Sequence, residues 1–382
     1  MDDKKLEAAI QALVPRIVPA PVRRRARRRL LPLYQHTIRK LHELGYLFIE
    51  LTHRCNIDCL HCGSDCQAST DQPDLPFDDI VRVMAEIKQR HDPHKITVVL
   101  SGGEPLVYPR VFELGRRLHE LEFPWGMVTN GWGWDDRAFA LAKAARLGSV
   151  TVSLDGLEAE HDWLRGRQGS WKRATGTIRR FVGEPFYKVI DAITCVNQRN
   201  FDSLEQVYEL VKELGLKRWR LFTIAPIGRA PKLPELFLSP EQYHELMRRI
   251  LDWKARGEIT VNLSESGYVG PCLERKVRDH DYFCMAGIRV GGIMVNGDIL
   301  ACPNIDRRFR QGNIFRDSFV DVWENRFQQF RDRRWTRVGR CASCDQWKHC
   351  QGNGMHLWDL DRAEPRLCHY QDFQLERFEE QA

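Results

Sequence analysis

Cys55, Cys59 and Cys62 lie in one short stretch, Leu51-Thr52-His53-Arg54-Cys55-Asn56-Ile57-Asp58-Cys59-Leu60-His61-Cys62, at CxxxCxxC spacing. Three thiolates in a single loop suit a soft metal, and a set of three leaves one coordination position open. A closed structural zinc site wants four ligands, and Cys66 is the nearby residue that would complete one. A second thiol region fills the last third of the chain, with Cys272, Cys284, Cys302, Cys341, Cys344, Cys350 and Cys368. There Cys284, Gly297 and Cys302 read Cx12Gx4C, and Cys341, Cys344 and Cys350 read CxxCx5C, spacings that also admit zinc. Only Cys195 stands between the two regions.

Twelve cysteines in 382 residues have to be explained by chemistry, because the chain does not need them as crosslinks. Its length and its 43% hydrophobic content can bury an ample core, and 29% charged residues is globular composition. Lys plus Arg number 58 against 52 Asp plus Glu, a net charge of +6. No window is apolar for long enough to span a membrane, and Met1-Asp2-Asp3-Lys4-Lys5 opens no signal-peptide pattern. The expected compartment is the cytoplasm, where thiols stay reduced and clustered cysteines mean metal or catalysis.

Those thiols must be carried by elements, and the intervening sequence alternates strand and helix. Apolar or β-branched runs at 46–51, 95–100, 125–129, 149–154, 188–196 and 217–224 read as strands. Helical periodicity at 78–90, 111–121, 136–147, 171–182 and 203–214 separates them, and Ser239-Pro240-Glu241-Gln242 opens another helix with a capping box. Strands joined by crossover helices form a parallel sheet. The expected fold is α/β, a partial (β/α)6 TIM-like barrel followed by a small, loop-rich region, with the site where strands give way to loops. Notable residues fall at those ends: Gly102, Gly103 and Glu104 after the second strand, Thr129 and Asn130 after the third, Ser153 and Asp155 after the fourth. Arg165 follows in His161-Asp162-Trp163-Leu164-Arg165-Gly166, and Thr194 and Asn197 lie around the fifth. Taken singly, the glycine turn also reads as an ordinary loop and Asp155 as a helix cap.

As a set and in this order, the motifs resemble the radical S-adenosylmethionine enzymes. The resemblance covers about residues 46–240. It implies that Cys55, Cys59 and Cys62 hold a [4Fe–4S] cluster whose fourth iron is chelated by S-adenosylmethionine. It further implies that Gly102, Gly103 and Glu104 meet the methionine ammonium, and that Thr129, Asn130, Ser153, Asp155 and Arg165 lie near its carboxylate and ribose. The reaction implied is reductive cleavage to methionine and a 5′-deoxyadenosyl radical that abstracts hydrogen, with no side chain required as acid or base.

The second thiol region resembles the SPASM extension of peptide-modifying members, which binds two auxiliary [4Fe–4S] clusters. By that likeness Cys341, Cys344, Cys350 and Cys368 make a distal cluster. Cys272, Cys284 and Cys302 make a proximal one that is a ligand short, because the expected cysteine falls at Gly354. Three readings follow: an open iron, a substitute such as His356 or Asp359, or a proximal cluster that is never assembled. Cys66 and Cys195 are left as structural residues.

Residues 1–45 form a basic helical extension, 46–256 the barrel and 257–382 the auxiliary region. In the extension Val22, Ala26, Leu30 and Leu33 fall at helical spacing, with Arg23 to Arg29 on the remaining faces. Such a helix packs across the barrel, or its arginines meet an anionic membrane surface or an acidic partner; nucleic-acid motifs are absent. The function expected is modification of a peptide or small protein, with a flavodoxin or ferredoxin as electron donor. Anaerobic sulfatase-type maturation and haem or quinone cofactor biosynthesis are the enzymatic alternatives. A non-catalytic iron–sulfur scaffold is the alternative of another class.

Overall fold

The computed structural model describes residues 20–264 and 267–376, without the side chains of residues 20–29. Helix α1 (Ala20–Leu41) leads into β1 (Tyr46–Glu50), after which strands and crossover helices alternate. In order these are α2 (Phe77–Arg90), β2 (Thr97–Ser101), α3 (Val111–Glu120), β3 (Trp125–Thr129), α4 (Asp136–Ala144) and β4 (Ser149–Ser153). Next come α5 (Glu158–Arg165), α6 (Ser170–Gly183), β5 (Val189–Val196), α7 (Leu204–Glu213), β6 (Arg218–Thr223), α8 (Pro240–Arg256) and β7 (Thr260–Leu263). Strands β1 to β7 are parallel and lie side by side in chain order.

Hydrophobic patterning accounts for this arrangement. Leu47, Ile49, Val98, Leu100, Val150 and Val152 are wholly buried between sheet and helices. Helix α2 turns Ile80, Val83, Met84 and Ile87 into the same core, the positions its period predicts. Helix α8 begins with the expected capping box: the Ser239 hydroxyl accepts the Gln242 N–H, and the Gln242 side chain accepts the Ser239 N–H. Trp253 of α8 stacks on Tyr208 of α7 at 5.6 Å, which fixes the last helix over the sheet.

The sheet is wider than six units. Strand β7 adds a parallel strand beyond β6, and β8 (Val290–Ile293) pairs in parallel with β1 on the opposite edge. Strands β9 (Asp298–Leu300) and β10 (Gly312–Asn313) continue from β8 antiparallel, giving ten strands in one sheet. These additions are two to four residues long, and Val290-Gly291-Gly292-Ile293 has no alternating pattern to announce a strand. Glu50, buried at the end of β1, locks the junction: its carboxylate accepts the Val295 N–H at 3.3 Å and pairs with Arg307 at 3.2 Å and His53 at 3.3 Å. Burial works against its charge, but these partners hold its pKa below the usual carboxylate range.

Helix α1 corrects one expectation. Leu30 and Leu33, which fall at helical spacing in a helix expected to pack across the barrel, are more than half exposed, whereas Gln35 and Ile38 are buried. Ile38 packs with Phe283 and Ile288, the Gln35 amide donates to the His349 carbonyl at 3.2 Å, and the Arg39 guanidinium lies over Phe283. The helix therefore docks by its C-terminal half on the auxiliary region, and the partners are too distant in sequence for helical spacing to reveal the docked face. Arg23 to Arg29 belong to this helix, with side chains outside the described residues.

Candidate functional site

The cysteine loop leaves β1 and is closed on itself by Cys55 N–H to the Gln67 carbonyl at 2.7 Å and Gln67 N–H to the His53 carbonyl at 3.2 Å. The ends of later strands then clamp it. Gly103 N–H donates to the Thr52 carbonyl at 2.7 Å and Glu104 N–H to the Arg54 carbonyl at 3.1 Å. Leu60 N–H reaches the Leu164 carbonyl at 2.9 Å, and Arg229 N–H, beyond β6, reaches the Cys62 carbonyl at 3.1 Å. Glycine permits this approach: a Cβ on Gly103 would stand 2.0 Å from the Arg54 carbonyl oxygen, and one on Gly228 would stand 2.2 Å from that of Cys62. Gly102 and Gly103 thus hold the cysteine loop down as well as lining the site.

Each of the three sulfurs has a donor aimed at it. The Arg165 guanidinium is 3.5 Å from Cys59 Sγ, the Asn130 amide 3.8 Å from Cys55 Sγ and the Cys66 N–H 3.3 Å from Cys62 Sγ. Burial raises the thiol pKa values of Cys55, to about 12, and of Cys59, although Arg165 opposes the second shift. Cys62 moves the other way, because the Cys66 thiol and backbone N–H donate to its sulfur. Cys55 and Cys59 resist ionisation until a cationic metal centre arrives, Cys62 ionises readily, and all three already have N–H donors for the bound form, a set that fits an iron–sulfur cluster. Cys66 is therefore a neighbour of the site's chemistry and not a detached structural residue.

Glu104 is buried at the end of β2, where its carboxylate accepts the Thr129 hydroxyl and the Asn130 N–H, both at 2.8 Å. Burial pushes its pKa up to about 7, against the pull of those donors. Asp155, fully buried after β4, accepts Arg165 Nε at 2.5 Å on one oxygen and the Cys195 N–H at 2.8 Å on the other. Burial disfavours its charge, but Arg165, His61 and His161 together hold its pKa below the usual range. Asp155 thus acts on Arg165, and Arg165 acts on Cys59. Ser153, the last residue of β4 and two before Asp155, is buried as well. Thr194 donates to the Leu154 carbonyl and Asn197 to that of Cys195, so both brace strand ends.

Sequence reading missed Asn56, whose amide oxygen receives Asn130 at 2.7 Å, and Asn200, which donates to the Asp155 carbonyl at 2.5 Å. It also missed Gly228 and Arg229. Their place in the loop that follows β6 was the available signal, since Glu104, Asn130 and Asp155 likewise follow strands.

In the auxiliary region burial raises the thiol pKa values of Cys341, Cys350 and Cys368, and nearby thiols add to the shift: Cys368 and Cys344 act on Cys341, Cys368 and Cys341 on Cys350, and Cys344 on Cys368. Cys272, Cys284 and Cys302 are all half-buried. Among the described residues no three Cys, His, Asp or Glu side chains are gathered tightly enough to share one metal ion, the arrangement a closed zinc site needs.

A partial parallel barrel whose first loop gathers three thiols beside a buried carboxylate and guanidinium, and which carries a second thiol region, is an iron–sulfur enzyme scaffold. Two family models match the chain, that of the radical SAM superfamily over residues 49–211 and that of the SPASM iron–sulfur cluster-binding domain over 284–345. The chain belongs to the radical S-adenosylmethionine superfamily and carries a SPASM-type region. Among its curated relatives is the AdoMet-dependent heme synthase of Methanosarcina barkeri, 28% identical over 320 residues, spanning 79% of this chain and 89% of that protein. The mycofactocin maturase MftC of Mycolicibacterium smegmatis is 28% identical over 318 residues, spanning 80% and 76%. Streptococcus suis SuiB, solved with S-adenosylmethionine and also with its precursor peptide SuiA, has the same fold at a TM-score of 0.65 and 19% identity, over 92% of this chain and 83% of that one.

Proposed function

We propose that this chain cleaves S-adenosylmethionine reductively at Cys55, Cys59 and Cys62 and modifies a peptide or small protein by hydrogen abstraction. The observation that carries the reading is the Asp155–Arg165–Cys59 chain, which brings a buried positive charge to a cluster ligand at the mouth of the barrel. When bound, the cluster supplies the electron that breaks the bond between sulfonium sulfur and 5′ carbon. The residues hold, orient and exclude water: Gly102 and Gly103 let the ligand approach, Glu104 receives an ammonium, and Thr129 and Asn130 fix Glu104. Residues 46–256 would form the catalytic barrel and 257–382 the cluster-bearing region, with a flavodoxin or ferredoxin as donor. No described helix is long and apolar enough to cross a membrane, and the thiols call for a reducing cytoplasm.

Resemblance to MftC and to the fold of SuiB supports the peptide substrate. Haem formation is the second reading, favoured by alignment with 89% of the M. barkeri heme synthase. Reconstituted anaerobically and given S-adenosylmethionine and dithionite, the protein is expected to form 5′-deoxyadenosine and to change the mass of a peptide encoded beside its gene. Haem formation from a tetrapyrrole precursor, with every such peptide unchanged, would replace the first reading by the second.

Glu104 gives the binding step a pH dependence. Its folded pKa of about 7 lies above the ordinary 4.5, so in free protein the carboxyl stabilises the fold in acid and loses that contribution as pH rises from 4.5 to about 7. An ammonium ligand requires the carboxylate. Affinity for S-adenosylmethionine is therefore expected to fall about tenfold per pH unit below that value, with proton release on binding. Calorimetry in two buffers measures both effects, and Glu104→Gln should flatten the profile; an unchanged slope in that variant would place the proton elsewhere.

A further inference from the structure

Gly354 stands where the SPASM-like spacing lacks a thiolate, and its surroundings account for the glycine. Its backbone is ordinary and extended (φ −70°, ψ 135°), so conformation does not demand glycine there. Space does: a Cβ on Gly354 would lie 2.5 Å from His356 Cε1, 2.8 Å from His356 Nδ1 and 2.7 Å from Tyr282 Oη. The imidazole fills the place that a side chain at 354 would enter, so a cysteine at 354 and His356 in this pose exclude each other.

Two of the neighbouring segments carry proximal cysteines, Cys284 and Cys272. The buried Arg333 guanidinium donates to the Cys284 carbonyl at 3.0 Å and to the Asn353 carbonyl at 3.4 Å, tying the two stretches together. Tyr282 is two residues from Cys284. The segment leading to Cys272 joins the same point, with Tyr268 N–H on the Asn353 amide oxygen at 3.0 Å. Asp359, the other candidate, is committed elsewhere: its carboxylate accepts the Asp361 and Arg362 N–H groups at 2.9 and 3.2 Å, closing the turn between β11 (Trp358–Asp359) and β12 (Glu364–Pro365).

We propose that His356 is the fourth ligand of the proximal auxiliary cluster, beside Cys272, Cys284 and Cys302, and that residue 354 is glycine because the imidazole takes the place of the missing thiolate. A neutral ligand in place of a thiolate leaves the cluster less negative and raises its reduction potential. The inference rests on the auxiliary region holding two clusters, whereas 5′-deoxyadenosine formation reports the radical site separately.

The test is pulsed EPR of the reduced, fully reconstituted protein without S-adenosylmethionine, prepared with 14N- or 15N-histidine. An isotope-dependent histidine coupling is expected, and His356→Ala should remove it. The pair Gly354→Cys with His356→Ala should restore about twelve irons, show no histidine coupling and titrate at a lower potential, which decides the matter even if the single variant folds poorly. Twelve irons in wild type with no histidine coupling, or only about eight, would overturn the proposal.

Discussion

Replacing Cys55, Cys59 and Cys62 together by alanine is expected to abolish 5′-deoxyadenosine formation while iron falls only from about twelve to about eight atoms per chain. The three sulfurs form one site, clamped by backbone bonds from Gly103, Leu60 and Arg229, and each faces its own N–H donor. The distal four are drawn from residues 341–368, where Cys368 lies within electrostatic reach of Cys341, Cys344 and Cys350. Iron and sulfide assays on the purified variant, with 5′-deoxyadenosine measured by chromatography, check both halves. Residual product at the wild-type rate would move the radical site away from this loop, and a fall to about four irons would mean that the proximal cluster is not built.

Asp155→Ala should cost the fold about 3 to 5 kcal/mol, the range for removing one partner of a buried ion pair. Asp155 and Arg165 are both buried, and the variant leaves a guanidinium facing Cys59 with no countercharge. It also orphans the Cys195 N–H, which has Asp155 as its acceptor. Asp155→Ala with Arg165→Leu removes both charges and should recover much of that loss, because the penalty comes chiefly from the stranded guanidinium. Neither variant should form 5′-deoxyadenosine at more than a small fraction of the wild-type rate, since the Cys59 donor loses the carboxylate that orients it in the first and is absent in the second. Urea denaturation of the cluster-free proteins measures the stability terms. Equal destabilisation by the single and double variants would show that Arg165 is not held there by charge.

These effects also mark how far sequence could be read. The α2 face at Ile80, Val83, Met84 and Ile87 was legible because one helical period buries it. The cap at Ser239 was legible because its partner is three residues away. Leu30 and Leu33 misled for the complementary reason: a periodic face says that a helix can pack, and the distant partners of Gln35 and Ile38 decide which side does.

By itself, the sequence determined the CxxxCxxC loop, the strand-end glycines and carboxylates and the parallel α/β order, all of which are written in spacings of a few residues. Tertiary structure alone decided that Asp155 serves Arg165 and Arg165 serves Cys59, that β8 zips onto β1, and that His356 occupies the space over Gly354. Each of these contacts except the last joins residues from ten to more than two hundred positions apart. Even that short one lies where Tyr282 Oη approaches Gly354 and Arg333 joins the Asn353 carbonyl to that of Cys284. Spacing records which ligands a chain can offer, and only packing brings a donor to one of them.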